Sequence, residues 1–369
     1  MDLRNLLRYW PCTSARDQRP LGAARLPRGA ARQRGAVLPA SLVALLGLAG
    51  LGLAGAVVAL ERFTDEPQLQ RFVDDMVQQH GFTRSDVNDL LADAQVLSSV
   101  LNAISRPAER KPWHQYREIF LTPSRIEGGL KFWRTHHRDL ARAEREFGVS
   151  PEIIVAIIGV ETRYGENTGQ YRVLDALTTL AFHYPKRSRF FRSELEAFLL
   201  LSRDEGFDPR SIKGSYAGAM GIPQFISSSY RTYAVDFDGD NTRDLIGNAV
   251  DAIGSVANYL SEHGWEKGAG VVLPATLRTT KARELSAAGL KPHLELTEMR
   301  ARGVSIDGSP TQQGRGALIE LEASAGPEFW VGLQNFYTIT RYNHSPLYAM
   351  AVYQLAQAIR EQFSDAQDS

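Results

Sequence analysis

Cysteine is almost absent from this chain of 369 residues, which contains only Cys12. Because Cys12 precedes the longest apolar stretch, no disulfide can form in the part that follows, and no paired-cysteine metal site exists. The sequence also has no HExxH motif, no phosphate-cradling glycine loop and no internal repeat. The chain is nevertheless long enough to hold two or three domains and to bury a sizeable core.

An excess of positive charge is absent outside the N-terminus. Residues 1–60 carry eight arginines against Asp2 and Asp17, with no lysine or glutamate, whereas the remainder carries 34 basic and 40 acidic residues. Nucleic-acid binding depends on basic patches. The net negative balance of the body therefore predicts no nucleic-acid partner.

Charge of either sign is missing from residues 35–60, which contain "SLVALLGLAGLGLAGAVVAL". This uncharged stretch of 26 residues is long enough to span a bilayer. A secretory signal has the same layout, with Ala54-Gly55-Ala56 as a small-residue cleavage site, and a buried core helix is a third alternative. The preceding arginines predict that the N-terminus stays in the cytoplasm and that the body is exported.

Apolar residues recur at helical spacing from about residue 67 to residue 148. "QLQRFVDDMVQQHG" predicts a helix that stops at Gly81, and "DVNDLLADAQVLSSVLNAI" predicts a second one that ends before Pro107. "KPWHQYREIFLTPSRIEGGLKFW" is rich in aromatic residues and is predicted to be irregular. Its Trp113 and Tyr116 suit core packing or a sugar-binding surface, and the pattern favours packing.

A buried carboxylate is predicted at Glu161. Ser150-Pro151-Glu152 supplies an N-cap, a proline at the first helical position and an acid in the first turn, so a helix begins there. No side chain from Ile153 to Val160 is polar, which is typical of a helix in the core of a large domain. Desolvation at the end of this helix would raise the pKa of Glu161, and cleavage of a glycosidic bond requires a carboxyl group that stays protonated near neutral pH. The alternative is an ion pair with Arg163 or another cation.

Glycines interrupt the helical region in "KGSYAGAMGIPQFISSSY". Gly214, Gly218 and Gly221 would let the backbone approach a ligand closely, and Ser215 and Gln224 would supply hydrogen bonds to it. A tight turn between helices uses similar residues, so this signal alone leaves both alternatives open.

The segment "DFDGDNTRD" places carboxylates at alternate positions between two predicted helices. Side chains with this spacing converge on a hard cation, and calcium suits oxygen ligands in an adaptable loop. The alternative is a solvated acidic turn. The candidate side chains occupy loop positions 1, 3, 5 and 9, as Asp236, Asp238, Asp240 and Asp244.

This loop departs from the standard calcium loop at two positions. Asn241 replaces the glycine at position 6, and it tolerates the left-handed backbone that the turn requires. Gly247 replaces the glutamate at position 12 and cannot supply a carboxylate. Asp251, at position 16, is the candidate closing ligand of a longer loop.

Short strands are predicted after residue 265. In "GALIELEASAGPEFW", Ile319 and Leu321 alternate with Glu320 and Glu322, which indicates a small antiparallel sheet inserted into a helical body. The chain then closes on an amphipathic helix from about Pro346. The predicted division is therefore a basic N-terminus with the signal or anchor (1–60), a helical domain (61–149), a catalytic core with the acidic loop (150–265), a small β domain (266–328) and a C-terminal return to the core (329–369).

Six blocks, in this order, closely resemble the membrane-bound lytic murein transglycosylase B family. They are "GVETRYG", "LTTLAFHYPKRSRFFRSELEAFLLL", "IKGSYAGAMGIPQF", "YAVDFDGD", "VDAIGSVANYLSEHGW" and "FYTITRYNHSPLYAMAVYQL". The resemblance covers roughly residues 65 to 363 and implies a mainly α (α+β) fold. In that fold, a goose-type-lysozyme-like helical core is flanked by a helical domain and a small antiparallel β domain.

The resemblance also implies an activity and its residues. The family cleaves the bond between N-acetylmuramic acid and N-acetylglucosamine in peptidoglycan and forms a 1,6-anhydromuramoyl end, with Glu161 as the single acid/base. The residues at positions that line the saccharide groove are Ser215, Gln224, Tyr259, Tyr342, Asn343 and Tyr348, with Tyr116 and Arg187 as less secure matches. A structural calcium ion is implied, and no organic cofactor. Its side-chain ligands would be Asp236, Asp238, Asp240 and Asp251, with Thr242 binding through its carbonyl.

The sequence leaves three functions open: a lytic transglycosylase, a lysozyme-like hydrolase and a peptidoglycan-binding scaffold without activity. The presence of Glu161 at the matching position argues against a non-catalytic scaffold. Analysis of the products distinguishes a transglycosylase from a hydrolase. The expected partners are peptidoglycan glycan strands and proteins of a cell-wall synthesis complex, and a membrane contact follows if the N-terminal segment stays uncleaved. The expected location is the periplasm. Relatives are often lipoproteins, but no cysteine follows the apolar stretch here to carry a lipid.

Overall fold

A computed structural model describes residues 67–105, 111–308 and 313–365. The uncharged stretch at residues 35–60, predicted to be a signal or an anchor, lies outside these ranges. Within them, each helix is too short or too polar to cross a bilayer.

Helices dominate the described structure, as predicted. The α-helices in these ranges are α1 (Pro67–His80), α2 (Arg84–Asp93), α3 (Ser98–Ser105), α4 (Trp113–Arg117), α5 (Pro123–Thr135), α6 (His137–Phe147), α7 (Pro151–Thr162), α8 (Val173–His183), α9 (Ser188–Asp204), α10 (Ser227–Tyr233), α11 (Ala249–Glu262), α12 (Leu296–Ala301), α13 (Gln334–Tyr342) and α14 (Pro346–Asp365). Short 3-10 helices occupy Pro185–Arg187 and Thr280–Ala288.

Two antiparallel sheets accompany these helices in the described ranges. The strands are β1 (Tyr171–Arg172), β2 (Lys213–Gly214), β3 (Val272–Leu277), β4 (Leu294–Glu295), β5 (Val304–Ile306), β6 (Arg315–Ala323) and β7 (Gly326–Gly332). β1 pairs with β2, and the larger sheet has the order β4-β6-β7-β3-β5. The small antiparallel sheet predicted from the alternation in β6 is confirmed, since Ile319 and Leu321 are buried there whereas Glu322 is exposed.

Helix α7 lies in the centre of the core. It begins at the predicted Ser150-Pro151 pair and is buried from Glu152 to Thr162. Helices α5, α6, α11 and α14 pack around it, so an apolar surface on every side of α7 is covered. The uninterrupted apolar run therefore corresponds to a helix that is enclosed on every side. Glu161, in the last turn of this helix, lies in the protein interior.

The second predicted helix is divided in two. Ala94 has an extended backbone that ends α2, and α3 begins at Ser98. The interruption is compensated by long-range bonds, because the Gln95 N–H donates to the Asp175 carboxylate and the Leu97 N–H to the Thr179 hydroxyl, both over 3.0 Å. Side chains of α8 thus satisfy backbone groups that a continuous helix would have paired internally.

The prediction of an irregular segment around Trp113 is wrong, since it forms α4 and α5. The start of α5 has a standard signal: Thr122 caps the Arg125 N–H, and Pro123 occupies the first turn. The predicted packing role of the aromatic residues is observed, because Trp113 is 0% exposed and Tyr116 is 6% exposed.

Candidate active site

The carboxyl group of Glu161 is enclosed by the core. Glu161 is 2% exposed and lies in the last turn of α7, where the backbone leaves the helix through left-handed conformations at Arg163 and Tyr164. Its hydrogen bond comes from the Tyr348 hydroxyl of α14, which donates to Oε1 over 2.6 Å. Within the described ranges, the Glu161 carboxylate forms no ion pair, so the alternative of a pair with Arg163 is not observed.

Burial raises the pKa of Glu161 to about 8, and the hydrogen bond from Tyr348 acts in the opposite direction. Both effects have a direct physical reason: desolvation disfavours the carboxylate, whereas a donated hydrogen bond favours it. Burial and the negative charge of ionised Glu161 raise the pKa of Tyr348 well above its usual value. At neutral pH the pair is therefore a protonated acid beside a neutral phenol.

Aromatic rings surround this pair. The rings of Tyr342 and Tyr348 are stacked with a centroid separation of 6.5 Å, and Tyr259 meets Tyr342 edge to face at 5.0 Å. The Tyr342 hydroxyl donates to the Pro223 carbonyl over 2.5 Å, and the Tyr259 hydroxyl donates to the Arg341 carbonyl over 2.7 Å. These two hydrogen bonds to backbone carbonyls fix both phenol rings next to Tyr348.

The glycine-rich loop packs against the end of α7. The Thr162 hydroxyl donates to the Ile222 carbonyl over 2.8 Å, which fixes the loop next to Glu161. The Ser215 oxygen accepts from the N–H groups of Ala217 and Ala219, so its own proton is available to another acceptor. Gln224 has a positive φ of 54°, and its amide nitrogen donates to the carbonyls of Thr168 and Gly221 over 2.9 Å. The loop is therefore both a tight turn and one wall of the site.

The other predicted groove residues lie at different distances from the acid. Tyr116 lies on α4, which packs against α14, the helix of Tyr348, and Asn343, 2% exposed, directly follows Tyr342 at the end of α13. The guanidinium of Arg187 lies 4.2 Å from the ring centroid of Phe190, at the start of α9. The structure thus groups Tyr116 and Asn343 with the tyrosine cluster, and it places Arg187 against the aromatic residues of α9.

One charged residue near α7 was missed by the sequence analysis. Arg125 of α5 is 8% exposed, and its Nη1 donates to the Gly159 carbonyl over 2.6 Å. Burial lowers the pKa of this guanidinium to about 10. The Tyr164 hydroxyl donates to the Arg125 carbonyl over 2.7 Å, which joins the turn after Glu161 to α5. Local sequence gives no signal for Arg125, because its acceptors lie 34 residues away along the chain.

The acidic loop brings three carboxylates together. One oxygen each of Asp236, Asp238 and Asp251 lies within 4.8 Å of the others. Asp251 is 0% exposed and accepts from the N–H groups of Phe237 and Asp244 over 2.7 and 2.8 Å. Burial, together with the charge of Asp238, raises the pKa of Asp251. A bound cation would offset both effects, so the donor set fits a hard divalent ion with oxygen ligands.

The rest of the loop shapes this cluster. Asn241 has a φ of 71°, which is the left-handed conformation expected at the position of the missing glycine. Asp240 accepts from the Thr242 N–H over 2.8 Å and lies outside the group of three converging oxygens. Asp244 accepts from the N–H groups of Ile246 and Gly247 over 2.8 and 3.0 Å. Asp251 therefore closes the cluster where Gly247 has no side chain to do so.

Comparison with known proteins assigns the chain to a family. The profile of the Transglycosylase SLT domain matches residues 64–357. Membrane-bound lytic murein transglycosylase B of Escherichia coli (strain K12) is 46% identical over 307 residues, which cover 80% of this chain and 84% of that protein. No described helix here is suited to span a membrane, although this relative is membrane-bound.

Solved structures give the same result in three dimensions. Soluble lytic transglycosylase SltB1 from Pseudomonas aeruginosa is 50% identical, with a TM-score of 0.77 and coverage of 82% of this chain and 100% of that chain. The Escherichia coli lytic transglycosylase Slt35, in complex with calcium, is 44% identical, with a TM-score of 0.76 and coverage of 82% and 95%.

A more distant structure contains a fragment of the cell wall. SltB3 from Pseudomonas aeruginosa, in complex with NAG-anhNAM-pentapeptide, is 31% identical, with a TM-score of 0.70 and coverage of 80% of each chain. The family profile and the relatives agree over most of the chain. This protein therefore belongs to the transglycosylase SLT domain family, the lytic murein transglycosylases.

Proposed function

We propose that Glu161 is the single acid and base with which this lytic murein transglycosylase cleaves peptidoglycan. The scissile bond joins N-acetylmuramic acid to N-acetylglucosamine, and the product carries a 1,6-anhydromuramoyl end. The observation that carries the proposal is the enclosed Glu161 carboxyl group, whose pKa of about 8 keeps it protonated at neutral pH. The burial of Glu161 at the end of α7 and the family relationship both support it.

The first step is proton donation. Protonated Glu161 transfers its proton to the glycosidic oxygen as the bond to C1 of the muramic acid breaks. Glycosidases generally use a second carboxylate as nucleophile or base. In the described ranges, the side chain that is hydrogen-bonded to the Glu161 carboxyl group is the phenol of Tyr348 and not a second carboxylate. The 2-acetamido oxygen of the substrate would instead stabilise the positive charge that develops at C1.

In the second step, Glu161 acts as a base and accepts a proton. The Glu161 carboxylate accepts the proton of the C6 hydroxyl of the same sugar while that oxygen attacks C1, which closes the anhydro ring without water. The Tyr348 hydroxyl stays a donor throughout, since its pKa is far above neutral, and its hydrogen bond stabilises the carboxylate between the two steps. An internal nucleophile held in position gains the advantage of an intramolecular reaction.

The groove assigned to the glycan strand comprises the tyrosine cluster and the glycine-rich loop. The proposed contacts are Ser215, Gln224, Tyr259, Tyr342, Asn343 and Tyr348, with Tyr116 and Arg187 farther from the reacting bond. The rings of Tyr259, Tyr342 and Tyr348 pack against one another next to Glu161, which supports their assignment to one wall of the groove. The glycopeptide bound to SltB3 supports peptidoglycan strands as the partner.

A calcium ion is assigned a structural role in the acidic loop. Its ligands would be Asp236, Asp238, Asp240 and Asp251, together with the Thr242 carbonyl. The converging oxygens of Asp236, Asp238 and Asp251 support three of these ligands, and the calcium complex of Slt35 supports the choice of ion. An ion held there would join the loop to α11, on which Asp251 lies, and so stabilise the helical core from outside the groove.

The location and the domain division follow from the same proposal. An enzyme acting on murein belongs in the periplasm, reached through the N-terminal signal or anchor, and partners in a cell-wall synthesis complex are expected there. The proposed domains are 61–149, 150–265, 266–328 and 329–369. Strands β3 to β7 lie within Val272–Gly332, which supports a β domain in this part of the chain, although β7 extends four residues beyond the proposed end at residue 328.

Mass spectrometry of muropeptides tests the proposal. A protein starting near Phe63 is incubated with purified peptidoglycan beside its Glu161→Gln variant. Products one water lighter than reducing-end muropeptides, absent with the variant, are the expected result. Ordinary reducing ends would instead establish hydrolysis, and release of nothing by either protein would favour a binding scaffold.

A further inference from the structure

A half-buried tryptophan lies in the centre of the five-stranded sheet. Trp330 of β7 pairs with Ile319 of β6 on one side and with Pro274 of β3 on the other. Side chains of paired residues point to the same face of a sheet. Ile319 is 2% exposed, whereas Pro274 is exposed. Trp330 therefore lies where the buried part of this face becomes open to solvent.

The two faces of the sheet have different neighbours. One face, with Leu318 and Val331, packs against α12 and the 3-10 helix to form the core of the β region. The face with Ile319 and Trp330 is directed to the helical body: Phe336 of α13 lies beside Ile319 and Gly332, and α4 packs on β6. The open part of this face at Trp330 and Pro274 thus forms a solvent-exposed rim beside the helical body.

Helix α4 lies between this face of the sheet and the helix whose Tyr348 contacts Glu161. His114, in its first turn, lies 3.3 Å from the Glu322 carbonyl at the end of β6. Tyr116, two residues later, is close to Tyr348, whose hydroxyl donates to Glu161. One helix of five residues therefore borders both the sheet face and the tyrosine cluster.

The chemistry at the rim suits a sugar ring. The Trp330 indole N–H donates to the Glu328 carboxylate, which fixes the ring and satisfies its polar atom. A fixed, half-exposed indole presents an apolar surface against the C–H face of a pyranose. The second oxygen of Glu328 and the flat ring of Pro274 lie on the same side of the sheet, and a carboxylate accepts hydrogen bonds from sugar hydroxyl or acetamido groups.

We propose that Trp330, Glu328 and Pro274 form a distal saccharide subsite, the Trp330 platform, which holds a sugar of the glycan strand away from the bond being cleaved. The inference rests on the proposed function in one respect, since it takes a glycan strand as the ligand. A substrate that is a polymer extends beyond the reacting pair of sugars, and α4, which contacts both β6 and α14, lies between the platform and the helix of Tyr348. The platform consequently selects long strands over short ones.

Binding is measured without turnover in the Glu161→Gln background. Stem-free glycan strands, prepared from peptidoglycan with an amidase, are titrated while tryptophan fluorescence is recorded. Trp330→Leu removes the platform, Trp330→Phe keeps an aromatic face without the N–H, and Trp133→Phe is the matched control, because Trp133 stacks on Phe363 at 4.3 Å in another part of the molecule. We expect the fluorescence change to persist in the Trp133 variant and to disappear in both Trp330 variants.

Affinity, measured by calorimetry because the Trp330 variants lose the fluorescence signal, and turnover are then compared for long strands and tetrasaccharides. Trp330→Leu should weaken binding of long strands about five- to tenfold, with a smaller loss for Trp330→Phe and no change for tetrasaccharides. With Glu161 present, the loss should raise KM for long strands and leave kcat unchanged.

Three outcomes distinguish a failure of the Trp330 platform from a failure of the proposed function. If Trp330→Leu binds and cleaves long strands like its parent, the platform is wrong and the enzyme activity is unaffected. An equal loss for tetrasaccharides and long strands would also overturn the platform, because it would indicate damage to the catalytic groove. If the parent binds strands through Trp330 but forms no anhydro ends, the platform stands and the proposed chemistry fails.

Discussion

Acidic residues serve opposite purposes in two regions of this protein. Glu161 is a single carboxyl group enclosed by the core, with a phenol as its partner, whereas Asp236 and Asp238 of an open loop meet the buried Asp251 in a group of three carboxylates. Isolation and burial make Glu161 hold a proton. Crowding of like charges makes the aspartates favour a cation. The number of neighbouring carboxylates thus distinguishes an acid suited to hold a proton from a group of acids suited to a cation.

Removal of the proton donor should have the largest effect. Glu161→Gln keeps the shape of the side chain and an acceptor for Tyr348 but cannot transfer a proton, so kcat should fall by about 10³-fold or more. Anhydromuropeptide release is the readout. Glu152→Gln is the control on the same helix, since Glu152 lies at the far end of α7, 3.4 Å from Arg360, and its loss should leave kcat unchanged. Activity in Glu161→Gln within tenfold of the parent would contradict the assignment.

Removal of the phenol should have the next largest effect. Tyr348→Phe deletes the hydrogen bond that favours the carboxylate, so the pKa of Glu161 should rise further above 8 and kcat should fall about 10²-fold. In a pH–rate profile, the limb that reports deprotonation of Glu161 should move to higher pH. Tyr353→Phe, on the same helix and half-buried, should leave the profile in place. A limb that moves to lower pH would show that Tyr348 opposes the charged form.

The cation site should affect stability more than chemistry. Calcium at about 100 times its Kd should stabilise the parent by about 2.7 kcal/mol, whereas Asp251→Asn should lose most of this gain. Thermal unfolding with and without a chelator measures both. Asp307→Asn is a suitable control, because Asp307 is an exposed aspartate in the β region. An equal calcium response in the parent and Asp251→Asn would exclude Asp251 as a ligand.

A methyl group at Gly159 should have the smallest effect of the four. A Cβ there would lie 2.5 Å from the Tyr164 hydroxyl, which is itself bonded to Arg125. Gly159→Ala should therefore cost about 1–3 kcal/mol of stability, measured by denaturant unfolding. Tyr164→Phe in the same chain removes the oxygen and should relieve part of the clash. Full stability in Gly159→Ala would mean that the turn after Glu161 moves freely.

Local patterns in the sequence predicted the features that depend on neighbours along the chain. The N-cap and proline at Ser150-Pro151 marked the start of α7, and the apolar run predicted that Glu161 is enclosed. Alternation in β6 predicted the antiparallel sheet, and the alternate aspartates, with Asp251 as the closing residue, indicated the carboxylates that converge.

Features that depend on distant partners were not predictable in this way. The break between α2 and α3 is stabilised by Asp175 and Thr179, which lie about eighty residues later. Arg125 is buried because its acceptors belong to α7, and the hydrogen bond between Glu161 and Tyr348 spans 187 residues. The helix at Pro123 is a different case, since the capping threonine and the proline were visible in the sequence.

The proton on Glu161 is tested most directly by the stability of Glu161→Gln relative to the parent as a function of pH. The folded pKa of about 8 lies above the ordinary value of 4.5, so the parent loses stability as pH rises between these values, whereas the uncharged glutamine does not. The difference in unfolding free energy should therefore move in favour of the variant by about 1.4 kcal/mol per pH unit and level off above pH 8. A difference in unfolding free energy that stays constant from pH 5 to 8 would show that Glu161 ionises at its ordinary pKa and is not protonated at neutral pH.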